Sequence, residues 1–528
     1  MRRPLVFLVL LLALGGIGAF AVARNVFHVG VPAGAGTALA TGTGAATPAA
    51  GATGTGTGTA VATGTATATT TPDAPGTGTG AAAGTANPPE SAPALKPLMT
   101  RPLRVATLGW EVIAPGLIAN GGMSPAADAL LAKAGLDVRL AVTEDPAVIE
   151  GALARGGADA EGADVAILPL QTFVASYERV RALAPEVFFV VGWSRGREAL
   201  AAADPDALAE PEPPPDAPAS GAPAPPAPKP AVKVIGAPGE PATFLALFVL
   251  DVTGIDPARV RIVSRAKAAS APDAFAAIDR AAPDAAPARA KRLLVTTNDA
   301  TALVPYVAVA PHGFITANAP ALTALARGWL AGAEKLRADV PGAARLVAAQ
   351  PGAPEAVALL ERLGWLEPAT VEDGARLAGL SGRSAVTLAE LLRQSWRIWR
   401  AAGVLSTPAP VVPPADSTVI AALVRASPPP TAPPPPIWTG TPGATVLLDR
   451  RLPSGALDEA MLVQQIGWLA GIFERSAVRV TVAHDKKRSA AVVAAAVERF
   501  DLPPDRVSAG GRAVPAKVPA VIEVFAAP

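Results

Sequence analysis

The chain has 528 residues, with 45 Lys and Arg against 44 Asp and Glu, a net charge of +1, three histidines and no cysteine. That length allows about three domains; near-neutrality gives no broad electrostatic reason to bind nucleic acid. The lack of cysteine excludes disulfides, thiolate zinc sites, iron–sulfur clusters and cysteine nucleophiles. His28, His312 and His484 are scattered, so no metal, no cofactor and no catalytic residue is expected.

The N-terminus reads as a targeting segment. Arg2 and Arg3 precede an uncharged apolar run from Pro4 to Ala23, closed by Arg24. Twenty helical residues span about 30 Å, the hydrocarbon thickness of a bilayer, and the paired arginines favour a cytoplasmic N-terminus. Residues 1–24 therefore predict an uncleaved signal anchor in the inner membrane. A cleaved signal peptide is the alternative, with Ala21-Val22-Ala23 as an A-x-A site. Residues 25–100 are mostly Ala, Thr, Gly and Pro, too small to offset the entropy of ordering. They predict a disordered tether, with an average reach of roughly 45 Å.

From Leu103 strand-like and helix-like segments alternate. Leu103–Leu108 reads as a strand, Ala126–Ala134 as a helix, Val138–Val142 as a strand, and Pro146–Arg155 as a helix. Asp164–Leu168 is a buried-strand run. Val187–Gly192 follows, then a Pro-rich insertion over 204–231. The alternation resumes with Val232–Ile235, a helix over Ala242–Val252, and strands at Arg261–Val263 and Arg292–Thr296. Helices dominate from Ala319 to Ala402, one striped by Leu388, Leu392, Trp396 and Trp399. The pattern predicts an α/β domain over 101–405 with two parallel-type sheets.

In such sheets ligands sit beyond the carboxyl ends of strands. Gly236-Ala237-Pro238-Gly239 follows one strand and opens a helix, so its N–H groups could face an anion, with Thr243 adding a hydroxyl. An ordinary βα turn is the alternative. Asp299 at the next boundary suits a helix N-cap, and the arginines of Gly192-Trp193-Ser194-Arg195-Gly196-Arg197-Glu198 suit either an anion or a solvated hinge.

The stretches Leu103–Ala106 with Trp110 and Asn120, Gly162–Leu170, Val234–Thr243, Val295–Asp299 and Val307–Ala310 resemble the periplasmic solute-binding proteins of ABC importers. The likeness is to the type II two-lobed fold, closest to the sulfonate- and nitrate-capturing branch. It implies a non-catalytic protein that closes two lobes on a small, anionic ligand and delivers it to an ABC permease. It implies ligand contacts from Trp110, Asn120, Gly236, Ala237, Gly239, Thr243, Thr297 and Asn298.

Residues 406–437 include Pro428–Pro430 and Pro433–Pro436 and predict a semi-rigid linker. Beyond it, 438–528 read as βαβαβ, with Thr445–Asp449, Val478–Val482 and Val518–Phe525 as strands. This segment resembles a degenerate OmpA-like domain, whose family grips peptidoglycan. Asp485 and Arg488 match its acidic and basic positions by type, while the loop between them and the Asn-Arg-Arg run are lacking. The whole predicts a periplasmic envelope protein anchored in the inner membrane. A structural scaffold that has lost its ligand is the alternative.

Overall fold

The computed structural model describes residues 96–204, 208, 231–281, 292–427, 438, 445–510, 513–515 and 517–526. The expected anchor, the tether up to residue 95, the insertion over 209–230 and the linker over 428–437 lie outside the described residues.

The alternation seen in the sequence builds two sheets. The first half supplies β1 (Leu103–Leu108), α1 (Trp110–Asn120), α2 (Leu130–Lys133), β2 (Val138–Thr143), α3 (Pro146–Arg155), β3 (Val165–Pro169), α4 (Leu170–Val180) and β4 (Pro185–Ser194). The chain then crosses to a second sheet through β5 (Glu198–Ala202), β6 (Val232–Ile235), α5 (Pro241–Val252), β7 (Val260–Val263), β8 (Phe275–Asp279) and β9 (Arg292–Thr296). It returns with β10 (Pro305–Pro311), α6 (His312–Ala338), α7 (Val340–Ala348), α8 (Ala356–Leu363), β11 (Leu366–Pro368), α9 (Val371–Leu377), α10 (Leu388–Ala401) and α11 (Thr418–Ala426).

The strand orders are β11-β4-β10-β3-β1-β2 and β7-β6-β8-β5-β9. The two lobes thus share one plan, in which each sheet receives a strand from the other half of the chain. β10 runs antiparallel between β3 and β4, and β5 antiparallel between β8 and β9. The sheets are therefore mixed rather than purely parallel. An exchanged strand must run back against its neighbours, because it enters from the opposite lobe.

One helix departs from expectation. The sequence places the first helix at Ala126–Ala134, whereas α1 begins at Trp110 and carries Pro115 and Gly116 in its interior. Those residues weaken isolated helices. Here the lack of a side chain at Gly116 is needed, because a Cβ there would lie 2.3 Å from the Trp329 ring of α6. Tertiary packing overrides the local preference.

The linker expected over 406–437 is partly built into the first lobe. The Val187 N–H donates to Pro414 O at 2.9 Å, and Val187 O accepts from the Asp416 N–H at 2.8 Å. α11 then buries Val419, Ile420 and Leu423 in the first lobe's core. Its apolar residues at helical spacing outweigh the prolines around them.

The C-terminal part comprises β12 (Val446–Arg451), α12 (Glu459–Ile472), β13 (Val478–Val482), α13 (Lys486–Phe500), β14 (Val507–Ala509) and β15 (Ala520–Phe525), in the order β12-β15-β13-β14. β14, pairing parallel to β13, is an addition to the expected βαβαβ order. This sheet shares one apolar core with the second lobe. Phe473 stacks on Phe248 of α5 at 6.3 Å, the Arg450 guanidinium donates to Asp251 O at 3.1 Å and Val252 O at 3.3 Å, and the Ala302 N–H donates to Ile472 O at 3.1 Å. Arg506, buried at the end of α12, donates to Ser476 O and Phe473 O at 3.0 Å and to Ala470 O. Burial pushes its guanidinium down to about 10.

Candidate functional site

The two crossover segments, 194–198 and 297–305, meet where the lobes join. Ser194 N–H donates to Val304 O at 2.9 Å, and the Arg195 guanidinium donates to Thr301 O. Burial pushes Arg195 down to about 10, a sign of how little water reaches this junction.

Beside it Arg197 bridges the lobes. Its guanidinium pairs with Glu111 in the first turn of α1 and holds Asp279, at the end of β8, through two hydrogen bonds of 3.0 Å. Glu111 is fully buried and the Arg197 side chain only 12% exposed. Burial works against the Arg197 charge, but Glu111, Tyr306 and Asp279 outweigh it and hold the group well above its ordinary value. Burial likewise pushes Asp279 up, and Arg197 more than reverses this, leaving the carboxyl below its usual range. Gly109 permits the geometry: its φ of 98° is left-handed, and a Cβ there would lie 2.8 Å from a Glu111 carboxylate oxygen.

A second buried carboxyl completes the cluster. Glu198 accepts from Ser194 Oγ and from Thr297 Oγ1 at 3.0 Å, and Thr297 Oγ1 itself accepts from the Gly196 N–H at 2.8 Å. Desolvation raises the Glu198 pKa, against the opposing pull of Arg197 and the hydroxyls. Tyr306 lies among these charges, and burial holds its hydroxyl protonated. Two buried atoms here, Glu111 Oε2 and Tyr306 Oη, have no hydrogen-bond partner among the described residues. An unpaired buried polar atom costs about 1–3 kcal/mol, so the junction holds unused polar capacity.

The residues expected at the site divide. Thr297 is at the junction, fully buried. Trp110 opens α1 but its ring is buried in the first lobe's core. Asn120 ends the same helix, one helix length from the junction, and donates to Gly122 O and Val138 O at 3.0 Å; it is a core-fixing amide. Asn298 accepts from Arg475 of the C-terminal part at 3.2 Å. Asp299 closes a turn by accepting from the N–H and hydroxyl of Thr296, and no helix follows it.

The glycine-bearing loop does touch both lobes, since Thr172 Oγ1 of α4 donates to Gly239 O at 2.9 Å. Its Ala237 N–H is not free, however. It donates to Glu240 Oε2 and Thr243 Oγ1, both at 3.1 Å, and a Cβ on Gly236 would lie 2.3 Å from that Thr243 hydroxyl. Glu240 is held in turn by Arg265 through two contacts of 2.5 Å. A carboxylate of the chain therefore stands where the loop's donors were expected to meet an external anion.

In the C-terminal part Asp485 caps α13 by accepting from the Arg488 N–H at 2.8 Å, and Arg488 pairs with Glu459 at 2.5 Å. Sequence reasoning missed Glu111, Asp279, Glu198, Glu240 and Tyr306. Glu111, two residues past a strand-ending glycine, was the one legible signal, since an acid in a first helical turn suits the helix dipole. Among the described residues no group of three or more His, Asp or Glu is placed to hold a metal ion, and no helix is long and apolar enough to cross a membrane.

No protein-family model and no curated protein matches the chain. Solved structures do align with it. The alkanesulfonate-binding protein SsuA from Xanthomonas axonopodis pv. citri, bound to MOPS, is 15% identical over 60% of this chain and 96% of its own, with a TM-score of 0.36. The periplasmic nitrate-binding protein NrtA from Synechocystis PCC 6803 is 12% identical over 49% and 69%, at 0.35. The Candida albicans CA3427 gene product, described as having the generic periplasmic binding protein fold, is 11% identical over 62% and 95%, at 0.37. The chain is thus similar, at low identity, to periplasmic binding proteins of the sulfonate and nitrate import type.

Proposed function

We propose that this is a non-catalytic solute-binding protein of the cell envelope, which holds a small polar solute at the junction of its two lobes. The carrying observation is the cluster around Arg197: one guanidinium spans both lobes, beside two buried polar atoms that have no partner among the described residues. A solute contacting both lobes would favour the closed form by its differential affinity. An anionic group must win Arg197 from Glu111 or Asp279, while Glu111 Oε2 can accept a donor. The chemistry favours a solute carrying an acidic group together with a hydrogen-bond donor. Delivery to an ABC permease, and an inner-membrane anchor over 1–24, complete this reading.

The scaffold reading, with Asp485 and Arg488 contacting peptidoglycan, is favoured by a different observation. Trp399 of α10 donates to Gln171 O of α4 at 3.0 Å and packs on Phe244 of α5 at 5.5 Å, so apolar packing continues from one lobe to the other. A thermal-shift screen of the full chain against small sulfonates, nitrate, amino acids and amines separates the two, because a ligand of the native state must raise the melting temperature. No shift across the screen, with retention on peptidoglycan sacculi, would favour the scaffold.

A further inference from the structure

The second lobe has a pocket lined by none of the residues that form the lobe junction. It measures about 270 Å³ and is lined by Lys233, Arg261, Lys267, Ser264 and Ser270 beside Ile262, Val263 and Ala271. Its origin lies in the connection from β7 to β8. Such a crossover between strands on opposite sides of a third is usually a helix lying across the sheet face. Here the connection is the short 3-10 segment Arg265–Ser270. Small alanines at 268, 271 and 274 cover Ile235 of β6. Lys233, two residues before Ile235 and so on the same face, is left exposed.

Lys233 and Arg261 are register partners on adjacent parallel strands. Like charges placed directly across strands repel and destabilise the pair. Lys267 adds a third cation from the 3-10 segment, and no carboxylate lines the pocket. The nearby Arg265 is already committed to Glu240. Among the described residues Lys233, Arg261 and Lys267 form no ion pair, and β7 is an edge strand. The Ser270 hydroxyl is spent on Lys267 O at 2.7 Å, but three uncompensated cations with the Ser264 hydroxyl around a cavity of this size suit a tetrahedral oxyanion, whose oxygens take a guanidinium's fork and several point donors together.

We propose that this pocket binds a phosphate-type oxyanion, free or carried on a larger molecule, independently of the lobe junction. Equilibrium titration of the full chain with inorganic phosphate, against chloride at matched ionic strength, tests this. Wild type should bind phosphate, and Arg261→Ala and Lys267→Ala should each weaken binding at least tenfold, while Lys133→Ala on the first lobe leaves it unchanged. These side chains are exposed, so folding is preserved, and a circular dichroism melt checks it. A parallel arm uses phosphatidylglycerol and phosphatidylcholine vesicles. Binding to anionic vesicles alone, lost in both variants, assigns the phosphate to a lipid headgroup; binding to free phosphate assigns a soluble source. Affinity unchanged in Arg261→Ala and Lys267→Ala, or no response beyond chloride in either arm, overturns the proposal.

Discussion

Replacing Arg197 by alanine should be among the most damaging single changes at the lobe junction. The substitution leaves Glu111, which is fully buried, without the cation that offsets its desolvation, and releases Asp279, which is 25% exposed. Removing one partner of a buried pair costs on the order of 3–5 kcal/mol. Water can reach Asp279 and take over part of its loss, so about 3 kcal/mol is expected. Urea denaturation of the full chain, followed by tryptophan fluorescence, reads this directly. A double-mutant cycle with Glu111→Gln and Arg197→Met isolates the pair, and a coupling of roughly 0.5–3 kcal/mol is expected for residues in contact. Arg197→Lys should recover only part of the loss, because an ammonium cannot hold two carboxylates with a planar fork. A loss below about 1 kcal/mol for Arg197→Ala, or a coupling near zero, would refute the idea that this arginine fastens the lobes.

Other consequences follow from the same packing. Trp399→Ala removes a fully buried indole wedged between α4 and α5 and should cost about 3–5 kcal/mol in the same urea assay. Phe473→Ala should destabilise the second lobe as well as the C-terminal part, so calorimetry should show one lowered transition for both rather than an early separate one. Glu178 accepts from the backbone and hydroxyls of Ser406 and Thr407, which pull its carboxyl down to about 2. Its folded pKa lies below the unfolded value of about 4.3. Its contribution is therefore complete above that value and is lost as pH falls toward 2. Glu178→Gln should flatten the acid limb of the stability–pH curve over that interval, and an unchanged limb would show that the contact does not matter.

The strands Leu103–Leu108 and Val165–Pro169 were legible because buried parallel strands are largely continuous apolar runs, and Val138–Thr143, at the sheet edge, because Val138 and Leu140 alternate with exposed positions. The stripe Leu388, Leu392, Trp396 and Trp399 was legible for a different reason, since apolar residues three or four apart mark one face of a helix, and all four side chains are buried. What the stripe could not reveal is that it binds two lobes at once, since periodicity names a face and not its partner. β5 escaped because its alanine-rich stretch Glu198–Ala202 has weak strand propensity and is fixed by pairing with β8 and β9. The site was harder still. Thr297 stood out at a strand end, but Glu111, Arg197 and Asp279 come from three distant segments. Local spacing carries no trace of such a meeting.

The most direct test of a solute held between two lobes is the distance between them. The chain has no cysteine, so labels can be placed cleanly at Lys133→Cys on the first lobe and Asp273→Cys on the second. Double electron–electron resonance on the full chain should show a distance distribution that narrows when the solute found by thermal screening is added, and broadens in Arg197→Ala. A single distribution that neither solute nor Arg197→Ala alters would contradict the account, and would leave the two lobes as one fixed body.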